Sequence, residues 1–143
     1  MSAEMTATLC KTHPCFYAGA RGKYGRLHLP VAPSCNIQCA YCRRDYDCPN
    51  ESRPGVTCGV LSPEEAVERL ERSLEEMPHL SVAAIAGPGD AFCDPERTLK
   101  TFELIRRRNP DIALCVSTNG LNVKDSIPHL RDLNVGYVTI TVN

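Results

Sequence analysis

Leu27, Leu29 and Val31 alternate with Arg26, His28 and Pro30, which predicts a first strand. Ser62-Pro63-Glu64-Glu65 reads as a capping box with proline at the first helical position, and Val67, Leu70, Leu74 and Met77 then recur at three and four. That spacing predicts an amphipathic helix, stopped by Pro78. Val82-Ala83-Ala84-Ile85-Ala86 is a short apolar run ending in Gly87-Pro88-Gly89-Asp90, a second strand and its turn. A second helix starts at Asp94-Pro95, carries Leu99, Phe102 and Ile105, and ends before Asn109-Pro110. Ile112 to Ser117 predicts a third strand, closed by Thr118-Asn119-Gly120; a weaker helix follows from Lys124 to Leu133, and Tyr137 to Val142 alternates as a fourth strand.

The order β-(loop)-α-β-α-β-α-β places the chain in the α/β class, with about four parallel strands and three helices. In such sheets the functional loops lie at the carboxyl ends of the strands. The loop after the first strand, the Gly-Pro-Gly-Asp turn and the Ser-Thr-Asn-Gly turn all fall there. Residues 1–25 lack sustained periodicity and form an irregular N-terminal arm, leaving 26–143 as the folded core. A complete eight-unit barrel takes ~250 residues, so this is half of a barrel-like sheet. The last strand has no covering helix after it, which predicts a truncated chain.

Composition narrows the function only by exclusion. The chain is 143 residues long, 43% hydrophobic and 23% charged, and 16 basic against 17 acidic residues leave a net charge of −1. No electrostatic footprint for nucleic acid or an anionic membrane follows from that balance. Arg106-Arg107-Arg108 falls at a predicted helix end, where cations suit the dipole. No window of ~18 apolar residues predicts a membrane span, and the N-terminus lacks the pattern of a secretory leader, so a cytoplasmic protein is expected. In a reducing compartment an odd nine cysteines argue for metal rather than disulfides.

Three of them carry the chemistry. Cys35-Asn36-Ile37-Gln38-Cys39-Ala40-Tyr41-Cys42 is a Cys-x3-Cys-x2-Cys stretch at the exit of the first strand. Structural zinc sites bring two separate knuckles, and no clean second knuckle follows. A bacterial ferredoxin runs Cys-x2-Cys-x2-Cys-x3-Cys-Pro, whereas here Cys48-Pro49 arrives only after five further residues. Three thiolates on a four-iron cluster leave one iron without a protein ligand, open to a small molecule.

With an aromatic just before its last cysteine, this stretch resembles the signature of radical S-adenosylmethionine (SAM) enzymes. Four longer stretches narrow the likeness: residues 26–33, 45–56, 86–90 and 114–120 resemble the NifB family of nitrogenase cofactor biosynthesis proteins, from about His13 to Asn143. The resemblance implies a truncated (β/α) partial barrel of the radical SAM type. It also implies an enzyme that fuses two 4Fe-4S clusters and inserts a SAM-derived carbide to give an eight-iron cofactor precursor. In that scheme SAM serves first as methyl donor and then as the source of a 5′-deoxyadenosyl radical, and the product passes to scaffold or carrier proteins. An electron donor is a further implied partner.

By the same likeness Cys35, Cys39 and Cys42 hold the SAM-binding 4Fe-4S cluster, Tyr41 lies near the adenine, and Gly87, Gly89 and Asp90 meet the SAM amino group. Ser117, Thr118 and Asn119 are implied contacts to the ribose or carboxylate. Cys15, His28, Cys48 and Cys115 form a second thiolate and imidazole set for additional 4Fe-4S substrate clusters. Parity supports two of these: Cys115 shares a face with Ser117, and His28 opposes Leu27, Leu29 and Val31. Glu51 and Arg53 are candidates for catalytic work near the methylated sulfur. The chain departs from the family at Ala20-Arg21-Gly22, where the family has an Ala-His pair, and the family's further cysteine ligands come from beyond residue 143. Cys10, Cys58 and Cys93 match no motif.

Two other functions fit the three-cysteine stretch. Another radical SAM reaction, such as glycyl-radical activation or peptide modification, would leave His28, Cys48 and Cys115 without a common purpose, and iron counting separates it. A non-catalytic iron-sulfur carrier would bind clusters without cleaving SAM.

Overall fold

The computed structural model describes residues 11–43, 48 and 59–142. Four parallel strands form one sheet in sequence order: β1 (Gly25–Leu29), β2 (Leu80–Ile85), β3 (Ala113–Thr118) and β4 (Val135–Ile140). Between them run α1 (Pro63–Glu76), α2 (Pro95–Arg108) and, after a 3-10 turn at Lys124–Ser126, α3 (Ile127–Asp132). The expected α/β succession is therefore the observed one.

Its starts are written in local chemistry. The Ser62 hydroxyl accepts from the Glu65 N–H at 3.1 Å while the Glu65 carboxylate accepts from the Ser62 N–H at 2.7 Å, closing the capping box. Asp94 caps α2 by accepting from the Arg97 N–H at 3.2 Å. Each helix then turns an apolar stripe to the same face of the sheet. Ala66, Val67 and Leu70 of α1 and Phe102 and Ile105 of α2 are buried against Leu29, Ala83, Ile85, Leu114 and Val116. Fully burying such a side chain stabilises by about 1.5–3 kcal/mol, so this layer holds the sheet.

Three boundaries differ from the sequence expectation. β1 begins at Gly25, inside the segment read as arm, and ends before Pro30, which has no N–H for the ladder. β4 begins at Val135 rather than Tyr137, because Val135 pairs with Leu114 across an irregularity that accommodates Gly136. The weak helix resolves into a 3-10 turn followed by α3, with Pro128 in the first turn of the latter. Among the described residues no helix is long and apolar enough to cross a membrane.

Candidate functional site

The loops leaving β1, β2 and β3 meet at one rim. The Gly87-Pro88-Gly89-Asp90 segment runs against the backbone that enters the cysteine loop: the Gly89 N–H donates to the Ala32 carbonyl and the Asp90 N–H to the Ser34 carbonyl, both at 2.8 Å. Gly89 allows this approach, since an added Cβ would fall on the Ser34 carbonyl group. Gly87 adopts a positive φ of 80°. Both glycines, expected to admit a cofactor's amino group, are used to press the second turn against the cysteine loop.

Asp90 binds the third turn to the other two. Its buried carboxylate accepts from the Phe92 N–H at 2.9 Å, from the Thr118 hydroxyl at 2.9 and 3.0 Å, and from the Asn119 N–H at 2.6 Å. These donors engage both oxygens, so Asp90 clamps the strand ends together. Thr118, buried with its hydroxyl on Asp90, likewise faces inward. Asn119 instead reaches out: its side-chain amide donates to Asn36 Oδ1 at 2.6 Å and lies 3.8 Å from Cys35 Sγ. Ser117 remains half-buried on the strand.

Within the cysteine loop Gln38 acts as an internal tie. Its Nε2 donates to the carbonyls of Cys39 at 3.2 Å and Cys42 at 3.0 Å, while the Cys42 N–H closes a turn on the Cys39 carbonyl at 3.0 Å. Cys35, Cys39 and Cys42 are half-buried on this one loop, none of them in a disulfide. Tyr41, 55% exposed, leaves the wall that would otherwise claim an aromatic. Among the described residues no three His, Cys, Asp or Glu side chains converge as a single metal ion requires. Thiolates on one tetrahedral ion with Zn–S of about 2.3 Å must crowd together, whereas those on separate irons of a four-iron cube stand further apart. The three thiols on one loop, the tie that holds it and an amide N–H directed at one sulfur fit a 4Fe-4S cluster.

The sheet face opposite the helices carries the second set. The ladder aligns His28 with Ala84, Ala84 with Cys115 and Cys115 with Tyr137, one row across all four strands. Cys115 is buried here with Val82, Ala84 and Ala113. Since Leu27 and Leu29 pack on the helix side, alternation turns His28 to this same face. Strands about 4.8 Å apart put His28 and Cys115, two strands removed, roughly 10 Å apart at Cα, with Ala84 between them in the ladder.

The N-terminal arm lies along that face. Ser81 donates its hydroxyl to the Thr12 carbonyl at 2.7 Å, and His13 and Phe16 pack on Tyr137 with ring centroids 4.3 and 4.9 Å away. The fully buried His13 accepts the Cys15 N–H on Nδ1 at 3.2 Å, which puts the neutral ring's proton on Nε2. Burial, aided by the Arg26 charge, lowers its pKa to about 4. Cys15 is exposed on the arm, and Cys48 is half-buried. Glu51, Arg53, Cys10 and Cys58 lie outside the described residues.

The radical SAM superfamily model matches residues 29–143, which include the whole cysteine loop and the three later strands. The FeMo cofactor biosynthesis protein NifB of Rhizobium leguminosarum is 51% identical over 93% of this chain, which covers 82% of that protein. The chain belongs to the NifB family of the radical SAM superfamily. The NifB proteins of Chlorobaculum tepidum and Klebsiella pneumoniae are 53% and 48% identical over 93% and 97% of the chain. The chain spans 31% and 30% of the length of those two relatives.

Against this NifB membership, four contributors at the rim and face escaped the sequence. Gln38 lay inside the signature, and its position as the one side-chain amide between the first two cysteines besides Asn36 was the available hint. Asn36 meets Asn119 across 83 residues, and His13 meets Tyr137 from the other end of the chain. Neither contact leaves a local pattern. Cys93, assigned to no motif, accepts the Ser34 hydroxyl at 3.3 Å beside the cysteine loop.

Proposed function

We propose that this chain carries the SAM-cleaving core of a nitrogenase cofactor-building enzyme, which fuses two 4Fe-4S substrate clusters and inserts a SAM-derived carbide to give an eight-iron precursor. The observation that carries the reading is the shared row of His28 and Cys115 on the sheet face opposite the helices, whose strands deliver the cysteine loop at their carboxyl ends. A generic radical SAM enzyme has no need of soft donors on that row.

Cys35, Cys39 and Cys42 would hold the resident 4Fe-4S cluster. When bound, it supplies the electron and the open iron site that SAM cleavage requires. Around it the chain's own residues set the geometry. Gln38 fixes the turn between Cys39 and Cys42, while Asp90 and Gly89 lock the neighbouring strand ends so that the loop has a rigid back wall. Tyr41 and Ser117 keep side-chain surface available for SAM, and Glu51 and Arg53 are assigned polar work near the methylated sulfur. His28 and Cys115, with Cys15 and Cys48, grip the substrate clusters through imidazole and thiolate. The His13, Phe16 and Tyr137 rings exclude water from one flank of that row. A cytoplasmic setting, an electron donor and carrier proteins for the product complete the proposal.

Anaerobic reconstitution with iron, sulfide and SAM under reducing conditions tests it. Both 5′-deoxyadenosine and S-adenosylhomocysteine should form, and Cys39→Ala should abolish the first. Formation of 5′-deoxyadenosine alone would assign a different radical SAM reaction; formation of neither would reduce the chain to a cluster carrier.

A further inference from the structure

Asn119 is held in one orientation by three independent contacts. Its backbone N–H donates to Asp90 Oδ2 at 2.6 Å, and its Oδ1 accepts the Leu121 N–H at 3.0 Å. Its Nδ2 donates to Asn36 Oδ1 at 2.6 Å and is 3.8 Å from Cys35 Sγ. Flipping the amide would set two oxygens against each other at Asn36 and two donors against each other at Leu121. The nitrogen therefore stays toward the cysteine loop. Asp90 cannot swing to release it, being 3% exposed with both oxygens engaged.

We propose that Asn119 is a positioning residue whose side-chain amide donates to the Cys35 sulfur and raises the reduction potential of the cluster, with Asp90 as the clamp that keeps it in place. An N–H directed at a ligating sulfur stabilises the extra negative charge of the reduced cluster, and hydrogen bonds to sulfur are among the levers that set such potentials. At Cys39 and Cys42 the Gln38 amide meets the backbone carbonyls, whereas at Cys35 the Asn119 amide meets the sulfur. The inference rests on the reading that Cys35, Cys39 and Cys42 hold a 4Fe-4S cluster.

The test uses the chain with Cys15, Cys48 and Cys115 replaced by alanine, so that one potential belongs to one cluster. Asn119→Ser keeps an acceptor for the Leu121 N–H but is too short to reach Cys35. By redox titration followed with electron paramagnetic resonance, its midpoint should move negative while iron stays near four per chain. An unchanged midpoint at unchanged iron would overturn the inference. Where Asn119→Ser binds less iron, Asn36→Ala decides: it frees the Asn119 amide for Cys35, so a midpoint equal to or above the parent's supports the inference and a negative one overturns it. Failure of the underlying reading is distinct, since the parent would then bind no iron or keep it after Cys39→Ala.

Discussion

At the scale of single residues, His13 has the sharpest pH signature. Its ring is neutral in the folded arm, with a pKa lowered from 6.5 to about 4 by burial and the Arg26 charge, and regains its ordinary value when the arm is released. Protons thus bind the released state more readily. The arm's anchorage is complete above pH 6.5 and is lost progressively as the pH falls from 6.5 toward about 4. Amide exchange at Phe16 and Tyr17, whose N–H groups donate to the His13 carbonyl, reports it. Protection corrected for intrinsic exchange should decline through that window and become pH-flat in His13→Phe; a flat profile in the parent would contradict the assignment. The sequence exposed the cysteines because their spacing is local, and it exposed the faces of His28 and Cys115 because a strand alternates. It assigned Asp90 to an ammonium, since nothing local reveals that Thr118 and Asn119 arrive from another strand to take the carboxylate.

Elements were legible wherever their caps and stripes were written locally, as at Ser62-Pro63-Glu64-Glu65 and Asp94-Pro95. What lay beyond reach was the fastening of one element to the next. Arg106, read only as a cation at a helix end, threads its guanidinium among the carbonyls of Pro110, Ile112, Leu133 and Asn134 at 2.6 to 3.1 Å. It thereby ties the end of α2 to the starts of β3 and β4, and its burial lowers its pKa. Arg107, next in the chain, is exposed. Arg106→Met should cost about 2–3 kcal/mol, because it removes charged hydrogen bonds and strands partly buried carbonyls, while Arg107→Met should stay within about 0.5 kcal/mol. Urea denaturation midpoints measure both. Equal shifts in the two variants would remove Arg106 from this role.

Over the whole molecule, one sheet divides the labour between its two faces. The helix side is packed with Leu29, Ile85, Leu114 and Val116. The other side buries Val82, Ala84 and Ala113 around Cys115, with Tyr137 packed against them and His28 in line. Parallel topology sends every strand's carboxyl end to the same rim, so the cysteine loop stands above that row without any special device. The succession of patterns was enough to infer this arrangement; the arm lying on that second face was not, for its hold is the stacking of His13 and Phe16 on a distant Tyr137. The most direct measurement of the account is iron per chain after anaerobic reconstitution, in the parent and in a His28→Ala, Cys115→Ala double variant. Well over four irons should bind to the parent and about four to the double variant. About four in both would show that this face grips no substrate cluster.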